Sequence, residues 1–456
     1  MNTTKRILVV DDSAFMRKII SDLIMEDPRF MIAGTASNGL EAIVKVKQLK
    51  PDAVTLDVEM PVCNGLDALR QIMKECPTPV IMMSSLTEEG RRETIDALEN
   101  GAFDFVCKPS PSNGMQDIHN VGEELVERLH EAIRSAYRQR EIQPTVTSEI
   151  HTNKIDRVSV PPKSLADERK QDIRSNRSSS AKKSSPAIEL SKLDTARETV
   201  VTRNDKPAAD TVSGRKHKEP ALTAASQTAS TRATRVQSPS LSKQQAEKAV
   251  RESHTPNTSS HNRLQYSNII AVGTSTGGPR ALKELLSRMP KNLEAPVFIV
   301  QHMPPNFTHS LAERLNSVSQ LEVKEAEHGE IANAGTAYIA PGGMHMTVAE
   351  RADGKLSIAL DQGPPRSGHR PSVDQLFESL SSLSRYHRHV VLLTGMGSDG
   401  ARAMQQLTQH GVTSTFAESE QTCIVYGMPR AAIELGCVKH IVNLQDMAKE
   451  IVRAIV

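Results

Sequence analysis

Short apolar runs separated by helix-length amphipathic stretches recur in two parts of this chain. Between Lys5 and about Ala136, the runs Arg6–Val10, Ala53–Leu56, Val80–Ser84 and Phe103–Cys107 read as strands, with another near Met31–Ser37. Strands alternating with helical patterns predict βαβ units around a parallel sheet. The pattern returns from Tyr266 to Val456, with strands expected at Asn268–Val272, Pro296–Val300, Thr336–Ile339 and Val390–Leu393, and a closing helix over Leu444–Ile455. No internal repeat is present.

The interval from about Glu141 to Gln265 has no such period. It contains no Phe, Trp or Tyr, a single glycine (Gly214), and 22 Lys/Arg against 14 Asp/Glu. Such a segment cannot bury enough apolar surface to offset its chain entropy, so a disordered Ser/Thr/Lys/Arg-rich linker is expected. Its charges are interspersed, which favours a solvated tether over a segment that grips lipid or nucleic acid. The expected division is residues 1–125, then a helical extension and linker over 126–265, then 266–456.

Composition agrees with a chain that is only partly packed: 38% of the 456 residues are hydrophobic, but only 3% are aromatic. A net charge of +2 gives no global case for nucleic acid or membrane binding. Cys63, Cys76, Cys107, Cys423 and Cys437 are odd in number and lack metal-ligand spacing, so a reduced, cytoplasmic protein is expected. The N-terminal stretch lacks the apolar run of a signal peptide, and no stretch approaches the ~18 apolar residues of a membrane span.

Three strand ends in the first part carry chemistry. Asp11 and Asp12 close ILVVDD, Asp57 closes AVTLD, and Lys108 closes FDFVCK. In an open parallel sheet, ligands bind beyond the carboxyl ends of the strands, so these groups should converge. Three carboxylates make a hard oxygen site suited to Mg²⁺. A carboxylate can also be phosphorylated, with the metal and the lysine offsetting charge on the transferring group. Ser84, ending VIMMS, can hydrogen-bond a new phosphate oxygen. On these residues, the region resembles a response-regulator receiver domain. The resemblance implies a flavodoxin-like, doubly wound five-stranded sheet and phosphorylation of Asp57 by a histidine kinase. It also implies Mg²⁺ held by Asp11, Asp12, Asp57 and the Glu59 carbonyl, with Ser84, Lys108 and the aromatic Phe105 as switch residues.

In the second part, NIIAVGTSTGGP runs from a strand into a glycine-rich turn and a helical pattern. Gly273-Thr-Ser275-Thr-Gly277 matches G-x-S-x-G, a nucleophile-elbow pattern that is weak on its own. The helix start supplies unpaired N–H groups for developing negative charge. Ser275 needs a base, for which His302, His328, His345 and His369 are candidates. His302 ends PVFIVQH and Asp399 follows VVLLTGMGS, both at strand carboxyl ends, so Ser275, His302 and Asp399 are the expected triad. His345, and His369 with Asp374, are the fallback choices. The order Ser…His…Asp differs from that of α/β-hydrolases, which points to a convergent site on another sheet.

The motifs GTSTGGP, QHMPPNFT, IAPGGMH, HRPSVDQLF and LTGMGSDGA together resemble the catalytic domain of chemotaxis protein-glutamate methylesterases. With the receiver, the resemblance covers nearly everything except the linker. It implies a second doubly wound, mostly parallel α/β domain. It also implies Ser275 as nucleophile, His302 as base, Asp399 as its orienter and the Met396 N–H as oxyanion donor. The implied function is phosphorylation-activated hydrolysis of glutamate methyl esters on methylated chemoreceptors, releasing methanol. Deamidation of receptor glutamines is implied as well, with no metal needed for either reaction and the unphosphorylated receiver covering the site. Thr274 stands where the family often has alanine, Ser398 where it often has asparagine, and the linker is expected to exceed the family's usual length. A longer tether makes docking depend more on the domain interface. Two other classes would leave different marks in the sequence. A phospho-regulated binding module with an inert second domain would lack Ser275, His302 or Asp399. A DNA-binding regulator would need a recognition helix, where this chain has a strand-rich pattern.

Overall fold

A computed structural model describes residues 4–109, 115–148 and 266–456. The linker expected up to Gln265 lies outside the described residues from 149 onward.

The first domain runs β1 (Lys5–Val10), α1 (Ala14–Met25), β2 (Phe30–Ala36), α2 (Gly39–Leu49), β3 (Ala53–Asp57), α3 (Gly65–Glu75), β4 (Val80–Ser84), α4 (Glu88–Glu99), β5 (Asp104–Cys107) and α5 (Met115–Ser148). The strands form a five-stranded sheet in the order β2-β1-β3-β4-β5, every pair parallel. β3 and β4 are buried throughout because helices cover both faces, which is why they read as unbroken apolar runs. Local chemistry sets the helix starts: Ser13, Asn38, Asn64 and Thr87 each accept a backbone N–H of the first turn of α1 to α4. α5 is continuous well past residue 125.

The second domain runs β6 (Asn268–Thr274), α6 (Gly278–Ser287), β7 (Val297–Gln301), α7 (Phe307–Asn316), β8 (Glu322–Glu325), β9 (Thr336–Ile339), β10 (His345–Glu350), β11 (Leu356–Asp361), α8 (Val373–Ser379), β12 (His387–Leu392), α9 (Ala401–Gln409), β13 (Ser414–Glu418), α10 (Met428–Glu434), β14 (His440–Val442) and α11 (Leu444–Ile455). Seven strands form one parallel sheet in the order β14-β13-β12-β6-β7-β9-β8, and β10 pairs with β11 as a separate antiparallel hairpin. The doubly wound, mostly parallel architecture expected from the sequence is therefore present. The chain enters at β6, builds outward through β7, and returns to the other side of β6 with β12. The crevice for a ligand lies at that reversal.

Five strands were not foreseen. β8 and β14 are short, with exposed or half-buried positions, so they carry no apolar run. β13 is fully buried but reads STFAE, too polar to stand out. β10 and β11 form a two-stranded hairpin outside the seven-stranded sheet.

Phe105 of β5 and Phe307 of α7 stack with ring centroids 4.6 Å apart, so the apolar cores of the two domains meet. Among the described residues no helix is long and apolar enough to cross a membrane.

Candidate active site

Ser275, His302 and Asp399 follow β6, β7 and β12, the three central neighbours of the sheet. Parallel pairing in register brings their carboxyl ends to one edge. The elbow is tight: Gly277 adopts φ +80°, which disfavours any side chain, and a Cβ on Gly278 would lie 1.8 Å from Gln301 Oε1. Ser275 N–H donates to Thr394 O at 3.1 Å, and Gln301 Nε2 donates to the carbonyls of Ser275 (2.9 Å) and His302 (3.1 Å). One buried amide therefore ties the backbones of the serine and the histidine together.

His302 Nε2 pairs with Asp399 Oδ2 at 2.9 Å, and its other nitrogen, Nδ1, is buried with no partner. Asp399 also accepts from Ser372 Oγ (3.0 Å) and from the N–H groups of Val373 (2.7 Å) and Asp374 (3.0 Å) at the start of α8. Burial pushes this carboxyl up, but the hydrogen bond and charge of His302 and the two N–H groups outweigh it and hold Asp399 ionised, below the usual range. Asp374 is raised, by burial and then by the Asp399 charge.

Ser275, His302, His369 and Met396 line one cavity of about 590 Å³. The Met396 N–H makes no hydrogen bond among the described residues. Of the fallback histidines, His345 is buried with Nε2 on Pro364 O (3.0 Å) and does not line the cavity. His328 is exposed and bound to Leu360 O. His369 does reach the site. The motif HRPSVD supports Asp399, because Ser372 caps α8 while also bonding the carboxylate.

The cavity wall is completed by the other domain. Glu124 and Arg128 of α5 line it. Arg128 pairs with Asp104, and Asp104 Oδ2 accepts the Thr276 hydroxyl at 2.6 Å. Glu99 at the end of α4 is held by Lys283 (2.7 Å) and Arg314 (2.7 Å); burial pushes its carboxyl up, but the hydrogen bonds and charges of Arg314 and Lys283 outweigh this and keep it low. Further along α5, Ser135 and Arg138 both donate to Ile424 O. Sequence patterns gave no signal for these pairs, since each joins residues far apart in the chain.

The carboxylates of Asp11, Asp12 and Asp57 lie within 4.8 Å of one another. Lys108 Nζ is 2.9 Å from Asp11 and 2.6 Å from Asp57. Burial pushes the Asp57 carboxyl up to about 6, against the pull of Lys108. Glu59 N–H donates to Asp57 Oδ1 at 3.3 Å. Ser84 is buried, and its hydroxyl is engaged with Thr94 Oγ1 (2.7 Å) and Ser85 O (3.1 Å).

The fold and its two constellations are those of a receiver joined to a serine-hydrolase-like domain. Residues 7–120 match the family described as response regulator receiver domain, and residues 270–451 the family described as CheB methylesterase. A protein-glutamate methylesterase/protein-glutamine glutaminase of Oceanobacillus iheyensis is 39% identical over 449 residues, covering 98% of each chain. The protein of that name from Bacillus subtilis is 39% identical over 446 residues, covering 98% of this chain and 97% of its own. The solved catalytic domain of Thermotoga maritima CheB methylesterase is 39% identical, covers 41% of this chain and 98% of its own, and has a TM-score of 0.40. The chain belongs to the protein-glutamate methylesterase/protein-glutamine glutaminase family. Because these relatives align over nearly their full length, the expectation of an unusually long linker does not hold against them.

Proposed function

We propose that this chain hydrolyses glutamate methyl esters on chemoreceptors, releasing methanol, and deamidates receptor glutamines, under the control of Asp57 phosphorylation. The observation that carries the reading is the His302–Asp399 pair standing beside Ser275 in one cavity, with His302 Nδ1 left free. In this reading Nδ1 takes the Ser275 proton as Oγ attacks the ester carbonyl, and Asp399 stabilises the imidazolium. The Met396 N–H receives the oxyanion, an interaction of about 3 kcal/mol in comparable sites. His302 then protonates the departing methanol (ammonia, for glutamine), and water clears the acyl-enzyme by the same steps in reverse roles.

In the receiver, Asp57 is the phosphoryl acceptor from a histidine kinase. Asp11, Asp12, Asp57 and the Glu59 carbonyl would hold Mg²⁺, and the donor chemistry fits, since three carboxylates converge on one point. The ion would supply charge neutralisation at the phosphoryl group. Lys108 already contacts two of these carboxylates, Ser84 would turn from Thr94 to a phosphate oxygen, and Phe105 lies against Phe307 of the other domain. The position of Arg128 and Glu124 in the cavity wall supports a receiver that obstructs the site until phosphorylated. In this reading the chain divides into residues 1–125, 126–265 and 266–456.

Methanol release from methyl-esterified receptor membranes tests this, with wild type and Ser275→Ala each measured with and without a phosphodonor. Release that requires Ser275 and rises with phosphodonor is expected. No release under any condition would leave the chain a phospho-regulated binder with an inert second domain.

A further inference from the structure

We infer that His369 is a positioning residue for the base: its ring fixes the plane of the His302 imidazole and thereby the aim of Nδ1 at Ser275. The inference rests on the roles of Ser275, His302 and Asp399 proposed above.

A hydrogen bond from Nε2 to Asp399 restrains the His302 ring at one atom and leaves the ring plane free to swing about that contact. The His369 ring lies parallel to it, with centroids 3.8 Å apart and an interplanar angle of 12°. A flat face at van der Waals distance blocks the swing and leaves Nδ1 with a single direction. The two fully buried histidines behave differently. His389 places its two nitrogens on Ser414 and Asn268, and His345 places one on Pro364 O. The His369 ring makes no hydrogen bond among the described residues, so its packing partner is the face of His302.

The segment carrying His369 is built to hold it there. Arg366 and His369 exchange backbone hydrogen bonds of 3.0 and 2.9 Å, with Ser367 at φ +52° and Gly368 at φ +82° between them. Positive φ at both central positions makes this a type I′ turn, the tightest hairpin connection. Serine adopts that conformation reluctantly, so the surroundings must impose it. They do so at both ends: the Arg366 guanidinium forks onto Glu378 of α8, and Arg370 donates to Gln362 O (3.0 Å) and Gly363 O (2.8 Å). α8 thus anchors both neighbours of His302, Asp399 through its first turn and the His369 turn through Glu378.

The charge state suits the role. Burial, and then the proximity of His302, lower His369 to about 4, while Asp399 opposes this and Arg128 adds to it. His369 is therefore neutral at pH 7, and its π face attracts rather than repels the imidazolium that forms on His302.

The test uses the full chain with phosphodonor and reads methanol release. His369→Phe keeps a flat face and removes the nitrogens; His369→Leu and His369→Gln remove the flat ring. Misaiming a catalytic group costs roughly 10- to 100-fold, so kcat of both the Leu and Gln variants should fall by that order with KM nearly unchanged. His369→Phe should recover wild-type kcat to within about threefold, with the acid limb of its pH profile unmoved. Should one of the flat-ring deletions fail to fold, as judged by thermal unfolding, the other carries the comparison. Equal losses in Phe, Leu and Gln would assign imidazole chemistry to His369 and overturn the inference, as would wild-type rates in all three or a loss confined to KM. Activity surviving Ser275→Ala in the same assay would instead overturn the underlying reading.

Discussion

Thr276, the residue after Ser275, donates its hydroxyl to Asp104 of the receiver at 2.6 Å, and both side chains are buried. Asp104 precedes Phe105 on β5 and also holds Arg128. Displacement of β5 would therefore be felt one residue from Ser275, without passing through intervening side chains. A hydrogen bond to a charged group contributes about 1.5–3 kcal/mol. Thr276→Val keeps the shape and removes the donor, so methanol release without phosphodonor should rise roughly tenfold, each 1.4 kcal/mol being a factor of ten. The rate with saturating phosphodonor should stay near wild type. An unchanged unstimulated rate would falsify a holding role for this contact.

Glu99 is a second point of attachment, with its side chain 4% exposed between Lys283 and Arg314. Glu99→Gln leaves two cations facing a neutral amide across the interface. Because Lys283 and Arg314 are each 39% exposed, solvent offsets part of the loss. About 1–2 kcal/mol is a reasonable magnitude. The fold-stimulation by phosphodonor should shrink several-fold through a higher basal rate, and Arg314→Gln should do the same. A variant with normal basal rate and normal stimulation would mean that α4 does not help hold the closed form.

Asp57→Asn removes the proposed phosphoryl acceptor but leaves the second domain untouched. Basal methanol release should match wild type, and phosphodonor should have no effect. Stimulation that survives in Asp57→Asn would place the regulatory chemistry at another residue.

His389 gives the fold a pH dependence whose sign is set by burial. Its ring is fully buried between Ser414 and Asn268, and burial, followed by the charge of His387, lowers it from 6.5 to about 4. The unfolded chain binds a proton at this position between those values and the folded chain does not. Stability is therefore fully present above pH 6.5 and is lost as pH falls toward 4, by about 3 kcal/mol for this one group. Urea unfolding of the second domain at pH 7 and pH 4.5 should show the loss in wild type, and a smaller one in His389→Gln. Identical pH slopes in the two proteins would show that the ring is protonated in place.

Most strand ends that carry chemistry were legible because parallel strands buried on both faces must be continuous apolar runs. Asp57 after AVTL, Lys108 after FDFVC, Ser275 after NIIAVGT and His302 after VFIVQ all announce themselves in this way. The edge strands β8 and β14 did not, because an edge buries less and tolerates EVKE or HIV with exposed positions. His369 was only a fallback base, since nothing in HRPSVD tells a reader that a type I′ turn aims the ring at another histidine.

By itself the sequence determined the two parallel-sheet domains, the acidic pocket around Asp57 and the three residues at the ends of β6, β7 and β12. Each of these follows from local periodicity and from the rule that parallel strands gather their carboxyl ends at one edge. Only the tertiary structure decided which groups sit beyond those edges: Ser372 on Asp399, His369 on His302, Asp104 on Thr276 and Glu99 between Lys283 and Arg314. These contacts join residues separated by tens to hundreds of positions, so no periodicity encodes them. They exist because packing brings short-ranged hydrogen bonds and ring faces to within a few ångströms, a distance that pattern along a chain does not specify.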